Sequence, residues 1–148
     1  MRIEREVELE VAPEKAYEAV MDPGHLADWV TIHDGFNEEP PERLDRGARL
    51  VQRLKVAGRC FTVRWTVTDA ERPERVRWEG KGPAGTNAHV EYRFQKDGAG
   101  RTRFCYINDY ALPGGPAGKL AGRVVSRAAG REVDRSLERL RHMLEEDS

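Results

Sequence analysis

Apolar residues in the last part of the chain recur every three or four positions, which predicts one long amphipathic helix. Pro116 suits the first helical position because its missing N–H has no helical partner to lose there. The apolar stripe consists of Leu120, Val124, Ala128, Val133, Leu137, Leu140 and Leu144. A stripe of this length needs a matching apolar surface, and we expect the preceding strands to supply it.

The N-terminal part of the chain predicts a strand and two short helices. Apolar and polar residues alternate over residues 2–11, as in a half-buried strand. The first helix should begin near Pro13, and its inward residues are Ala16, Tyr17, Val20 and Met21. The second should be capped by Asp22, and its inward residues are Leu26 and Trp29. Residues 33–46 have the composition of a loop.

Five further segments alternate between apolar and polar residues, which predicts five more strands. They span residues 47–57, 59–70, 75–80, 86–96 and 101–112. Clean alternation is typical of antiparallel strands with one dry and one wet face. The residues predicted to face inward include Gln52, Leu54, Phe61, Trp65, Trp78, Tyr92, Tyr106, Asn108 and Tyr110.

The order of these elements predicts an α+β helix-grip fold. A curved antiparallel sheet of six to seven strands would wrap around the C-terminal helix, with the two short helices following the first strand. This arrangement buries both apolar faces. A helix touches a curved sheet fully only at some points, so space should remain between them. We expect residues 1–148 to form one domain, because 148 residues suffice for a single core.

Four stretches carry motifs of a known family, namely residues 11–20, 22–29, 65–78 and 112–116. They resemble the START-like superfamily, the helix-grip fold of plant pathogenesis-related allergens, lipid-transfer START domains and polyketide cyclase/dehydrase-like proteins. The resemblance implies a cavity between sheet and helix for lipids, sterols, quinones, hormones or polyketides, and some members are enzymes. Polyketide aromatase/cyclases of this superfamily use a polar interior that includes an arginine. In this chain, four strand arginines fall in the outward phase, namely Arg64, Arg77, Arg93 and Arg103.

Charge and composition exclude several classes of partner. The net charge is −1 and 34% of the residues are charged, with both signs interleaved, whereas nucleic-acid binders usually carry a basic excess on one face. No stretch approaches the ~18 apolar residues of a membrane span, and the N-terminus has no apolar signal core. We therefore expect no nucleic-acid partner, no stable membrane insertion and a cytoplasmic location. Cys60 and Cys105 form no motif and should be reduced.

Two polar residues on the inward face raise a specific question. An unpaired buried amide costs about 1–3 kcal/mol, so Asn108 and Gln52 must each find a protein partner, water or a ligand. Their aromatic neighbours would suit a flat, mostly apolar ligand with a few polar atoms. Ordinary core packing, with hydroxyls reaching the rim, is the alternative for the same residues.

No catalytic or metal-binding motif is present in the sequence. The four histidines, His25, His33, His89 and His142, lie in different elements and form no spaced set of metal ligands. His33 and Asp34 are neighbours in the predicted loop, where they could serve in acid–base chemistry or be a solvated pair. No nucleophile motif or phosphate-binding loop occurs. We expect no metal and no organic cofactor.

The leading hypothesis is a non-catalytic module that binds a hydrophobic or aromatic small molecule, such as a lipid, polyketide or quinone-like compound. Segments around Trp29 and residues 33–46 would form the entrance. In one alternative, a cyclase or dehydratase, Tyr106, Asn108 or Tyr110 would polarise a carbonyl while His33 or Asp34 moved protons. In the other, the outer surface docks a protein. Oligomeric state stays open. The candidate ligand-binding residues are Trp29, Gln52, Leu54, Phe61, Trp65, Trp78, Tyr92, Tyr106, Asn108, Tyr110 and Val124.

Overall fold

The structure is a computed structural model that describes the backbone of residues 1–56, 58–111 and 116–146, and the side chains of these residues except 116–126. Within these ranges, the α-helices are α1 (Pro13–Val20), α2 (Leu26–Trp29) and α3 (Pro116–Glu146). The strands are β1 (Arg2–Leu9), β2 (His33–Phe36), β3 (Arg49–Val56), β4 (Arg59–Glu71), β5 (Arg75–Lys81), β6 (Asn87–Lys96) and β7 (Thr102–Ala111). The predicted element order and the start of the long helix are confirmed.

The seven strands form one curled antiparallel sheet in the order β1-β7-β6-β5-β4-β3-β2. The chain crosses from one edge of the sheet to the other between β1 and β2, and α1 and α2 lie within this crossover. It then returns strand by strand until β7 pairs with β1. Helix α3 contacts β1, α2 and β3, so it lies across the concave side of the sheet. The predicted helix-grip fold is confirmed.

Local chemistry explains the short elements of the crossover. Pro13 and Pro23 stand at the start of their helical segments, where a missing N–H loses no partner. The Asp22 carboxylate accepts a hydrogen bond from the Gly24 backbone N–H at 2.9 Å, so the predicted cap is confirmed. The buried Thr102 hydroxyl donates to the Val11 carbonyl at 2.8 Å and ties the chain after β1 to β7.

The prediction of a loop over residues 33–46 is wrong at its beginning. Residues His33–Phe36 form the edge strand β2, which pairs with β3. The segment His-Asp-Gly-Phe lacks an alternating pattern, and its register shifts between His33 and Gly35. Its strand conformation therefore depends on tertiary pairing with β3 rather than on local preference.

Candidate functional site

A cavity of about 140 Å³ lies between the concave face of the sheet and α3. Strands β3 to β7 form one wall, and the second half of α3 forms another through Ala129, Val133 and Leu137. The segment that follows α2 also lines the cavity, through Val30 and Ile32. Interiors are normally packed to the density of organic crystals, so a hollow of this size is a distinct feature of the fold.

Eight of the eleven candidate residues line this cavity: Trp29, Gln52, Leu54, Trp65, Trp78, Tyr92, Tyr106 and Asn108. Phe61 and Tyr110 are absent from its walls. Phe61 pairs with Leu54 near the β3–β4 hairpin and stays half-buried, whereas Tyr110 is near the end of β7, where its backbone N–H donates to Met1. The side chain of Val124 lies outside the described residues.

Aromatic side chains form a continuous row across four neighbouring strands. The ring centroids are 6.3 Å apart for Trp65 and Trp78, 6.4 Å for Trp78 and Tyr92, and 5.9 Å for Tyr92 and Tyr106. Each ring comes from the next strand of the sheet, from β4 to β7. Together they present a long aromatic surface to the cavity, which suits a planar apolar ligand.

The two tyrosines of this row are deep in the protein. Burial raises the pKa of Tyr106 to about 12, and burial also raises the pKa of Tyr92 far above its ordinary value. Both remain protonated at neutral pH and can donate a hydrogen bond. The Tyr92 hydroxyl makes no hydrogen bond with the side chains that the structure describes. It is therefore an available donor in the wall of the cavity.

Gln52 is held by protein groups at both ends of its amide. The Trp65 Nε1–H donates to Gln52 Oε1 at 3.0 Å, and Gln52 Nε2 lies 2.8 Å from His33 Nδ1. Burial lowers the pKa of His33, Asp34 acts to raise it, and Arg53 also lowers it. The question raised by the buried Gln52 is therefore answered by structural hydrogen bonds. The Asp34 carboxylate lies 3.7 Å from Arg53 Nε.

Asn108 is satisfied at only one end. Its Nδ2 donates to the Tyr106 hydroxyl at 3.1 Å, while its Oδ1 is buried and has no partner among the described residues. Since a tyrosine hydroxyl both donates and accepts, turning the amide over would leave the NH2 group unpaired instead. The indole N–H groups of Trp29 and Trp78 are likewise buried without a described partner. The cavity-lining side chains thus carry unused hydrogen-bonding capacity.

Sequence reasoning missed a polar cluster that joins the segment after α2 to the long helix. The Thr31 hydroxyl lies 2.6 Å from Glu132 Oε2, and the Thr31 backbone N–H donates to Ser136 Oγ at 3.0 Å. Glu132 and Ser136 both line the cavity. The sequence did contain a signal for this cluster, because Glu132 and Ser136 are one helical turn apart and lie beside the apolar stripe.

Among the described residues, no three His, Cys, Asp or Glu side chains gather as a metal site.

Comparison with known proteins supplies the family. The model of the family described as polyketide cyclase / dehydrase and lipid transport matches residues 1–145. The chain belongs to this family. Membership in the polyketide cyclase / dehydrase and lipid transport family, together with the START-like fold, suggests binding of a hydrophobic ligand.

The outward orientation predicted for four strand arginines is confirmed, since Arg64, Arg77, Arg93 and Arg103 are all exposed.

Three proteins illustrate what this chain is similar to. The uncharacterized protein Rv1546 of Mycobacterium tuberculosis is 29% identical over 125 residues, which cover 83% of this chain and 87% of that protein. A START superfamily protein from Mycobacterium smegmatis has a TM-score of 0.76 at 14% identity and covers 99% of each chain. The Zhui aromatase/cyclase from Streptomyces sp. R1128 has a TM-score of 0.75 at 18% identity, covering 98% of this chain and 93% of that chain. The two structural likenesses establish the fold.

None of the described helices is both long and apolar enough to cross a membrane.

Proposed function

We propose that this protein binds a small, planar and mostly apolar molecule in the cavity between the sheet and α3. The observation that carries the proposal is the hollow itself, about 140 Å³ in volume and bordered by the aromatic row from Trp65 to Tyr106. Apolar protein cavities of roughly 150 Å³ admit benzene. A ligand with one aromatic ring, such as a simple phenol or quinone, therefore fits this volume.

The ligand should also carry a hydroxyl group. Asn108 Oδ1 needs a donor, and the indole N–H groups of Trp29 and Trp78 need acceptors. A hydroxyl can meet both needs because it donates one hydrogen bond and accepts others. These three atoms are shielded from solvent in the structure, so a small rotation of the side chain must accompany the contact.

The two alternative functions have less support. For an enzyme, the groups expected to move protons are engaged elsewhere: His33 with Gln52, and Asp34 with Arg53. Glu132 lines the cavity, but it is held by Thr31 and by Arg135 at 3.0 Å. For a protein-docking module, the outer face of the sheet offers ion pairs rather than an apolar patch. Glu91 there lies 2.8 Å from Arg77 and 2.7 Å from Arg93.

Filling the cavity should abolish binding while the fold remains. Val133 lines the cavity from α3, so Val133→Phe places a ring in the hollow, where there is room to accept it. We expect the affinity for 4-fluorophenol and fluorobenzene, measured by fluorine NMR, to fall by about tenfold or more, with the melting temperature unchanged or higher. The matched control is Arg131→Phe, an exposed site on the same helix, which should bind like the parent protein. Failure of the parent protein to bind either compound, or normal binding by Val133→Phe, would show the proposal to be wrong.

Replacing Asn108, whose amide has a partner at only one end, should weaken ligand binding without lowering stability. Asn108→Leu deletes a buried carbonyl oxygen without a described partner, which relieves a penalty of about 1–3 kcal/mol and offsets the loss of the bond to Tyr106. We expect the free energy of unfolding, measured in urea, to stay constant or rise. Affinity for 4-fluorophenol should fall by roughly three- to tenfold, whereas affinity for fluorobenzene, which lacks the hydroxyl, should not. An equal loss of affinity for both compounds would mean that Asn108 shapes the cavity but makes no hydrogen bond with the ligand.

A further inference from the structure

A chain of three side chains connects the cavity wall to the edge strand β2. It runs from Trp65 through Gln52 to His33, with heavy-atom distances of 3.0 Å and 2.8 Å. Trp65 and Gln52 line the cavity, whereas His33 lies behind them and is absent from the walls. The chain therefore links a titratable group outside the cavity to an aromatic side chain that would contact the ligand.

The direction of every hydrogen bond in this chain follows from Trp65. An indole N–H can only donate, so the atom of Gln52 that faces Trp65 must be the oxygen. The amide nitrogen of Gln52 then faces His33 and donates to it. The receiving Nδ1 must carry no proton, so His33 is the neutral imidazole with its proton on Nε2.

A protonated His33 cannot belong to this chain. Its Nδ1–H would point at the N–H of Gln52, which places two donors against each other. Turning the Gln52 amide over would satisfy His33, but it would bring the amide nitrogen against the indole N–H of Trp65. No orientation of Gln52 serves both neighbours once His33 is charged, so one of the two hydrogen bonds must break.

Trp65 depends on this hydrogen bond for its position. Gln52 is the one hydrogen-bond partner of its indole among the described residues, and the ring is only partly buried. On one side the ring lies against Gly80, and on another it meets Trp78 edge-on. Without the bond to Gln52, the ring keeps its apolar contacts but loses the contact that sets its rotation.

We propose that His33 is a positioning residue that makes ligand affinity depend on pH, by holding Trp65 in the cavity wall through Gln52 only while the imidazole is neutral. This inference rests on the proposed function, because it assigns regulation to the same cavity. The charged groups that act on His33 are Asp34 on its own strand, which favours protonation, and Arg53 on β3, which opposes it. Phe36 packs against the imidazole at 4.7 Å between ring centroids and is uncharged.

The sign of the effect follows from the direction of the pKa shift. Burial lowers the pKa of His33 below its ordinary value of 6.5, so the imidazole is neutral at pH 7 and the chain is intact. As the pH falls through this lowered pKa, His33 becomes charged and the chain breaks. Ligand affinity should therefore be constant in weakly alkaline solution and decrease in acid.

The first test measures affinity for 4-fluorophenol at about pH 8 and at a pH below the pKa that NMR titration gives for His33, and the phenol hydroxyl stays protonated at both. We expect binding by the parent protein to be roughly three- to tenfold weaker at the lower pH, the range produced by loss of one hydrogen bond. His33→Gln should bind with little dependence on pH. The matched control His89→Gln removes an exposed histidine from the outer face of the sheet and should keep the full dependence.

The second test needs no ligand. Trp65→Phe removes the indole N–H, so Gln52 can turn freely and accept a hydrogen bond from a charged His33. We expect NMR titration of the His33 ring to give a pKa higher by about 0.5 to 1 in this variant than in the parent protein. Nitrogen shifts of the ring in the parent protein at about pH 8 should place the proton on Nε2.

The outcomes separate the two proposals. If 4-fluorophenol binds equally well at both pH values, or the pKa of His33 is the same in Trp65→Phe, the regulation by His33 is wrong while the binding function stands. If no compound binds at any pH, the proposed function is wrong and the regulation fails with it.

Discussion

Phe104→Ala is expected to lower the free energy of unfolding by about 3 to 5 kcal/mol, as truncation of a fully enclosed phenylalanine does. The Phe104 side chain is 0% exposed. Its ring centroid is 5.1 Å from that of Phe94, 5.4 Å from that of Tyr92 and 6.5 Å from that of Trp29. It therefore joins β7 to β6 and to α2, and alanine would leave a void beside the cavity. Urea denaturation with an unchanged slope would measure the loss.

Phe61→Ala is the matched control for this prediction. Phe61 is also a phenylalanine at a strand position predicted to face inward, but it is half-buried and lies outside the main core cluster. Its truncation should lower the free energy of unfolding by about 1 kcal/mol or less. Comparable losses for both variants would mean that Phe61 is packed as tightly as Phe104, contrary to the structure.

These two phenylalanines show how far the alternation of residues could predict the core. Period-two alternation identifies which face of a strand a residue belongs to, and this is why six of the seven strands and the inward face of β3 to β7 could be predicted. It does not give the position of a residue along the strand relative to the other elements. Phe61 near the β3–β4 hairpin and Tyr110 near the end of β7 have the predicted phase and still miss the cavity.

The polar contacts of the site could be predicted only in part. The sequence marks Gln52 and Asn108 as buried amides that need partners. It does not identify the partners, because they depend on strand register and on contacts distant in sequence. Thr31 and Ser136 are separated by 105 positions, and His33 reaches Gln52 only because β2 pairs with β3. A short polar segment gives no local signal for such pairing.

The cavity and the unpaired polar atoms around it both reduce the stability of the protein. A void forfeits dispersion contacts, and an unpaired buried polar group costs about 1–3 kcal/mol. Among the described residues, three of the five buried side-chain polar atoms without a partner belong to cavity-lining residues, namely Trp29, Trp78 and Asn108, and the other two belong to Arg75 and Tyr110. Elsewhere in the described interior, Leu140 and Val76 are fully enclosed. Stability is therefore reduced where a ligand would restore it.

Gly80→Ala is expected to lower the free energy of unfolding by about 1 to 3 kcal/mol, the usual effect of overpacking. Gly80 is the cross-strand partner of Trp65, and the indole ring lies directly against it. A Cβ atom at Gly80 would come within 2.5 Å of Trp65 Cζ3, so the ring must move. The backbone of Gly80 does not adopt the left-handed conformation, so the effect comes from the methyl group alone.

Displacement of the Trp65 ring in Gly80→Ala can be measured in a second way. When Trp65 leaves its place, its N–H no longer reaches Gln52, and the amide becomes free to turn toward His33. The pKa of His33 should then rise as in Trp65→Phe, and tryptophan fluorescence should change. Gly82→Ala is the control, since a Cβ atom there meets Thr86 Cβ at an ordinary 3.4 Å and lies away from the cavity walls. If Gly80→Ala matched this control in stability and in the pKa of His33, Trp65 would not be held between Gly80 and Gln52, and the pH dependence would have to act through another residue.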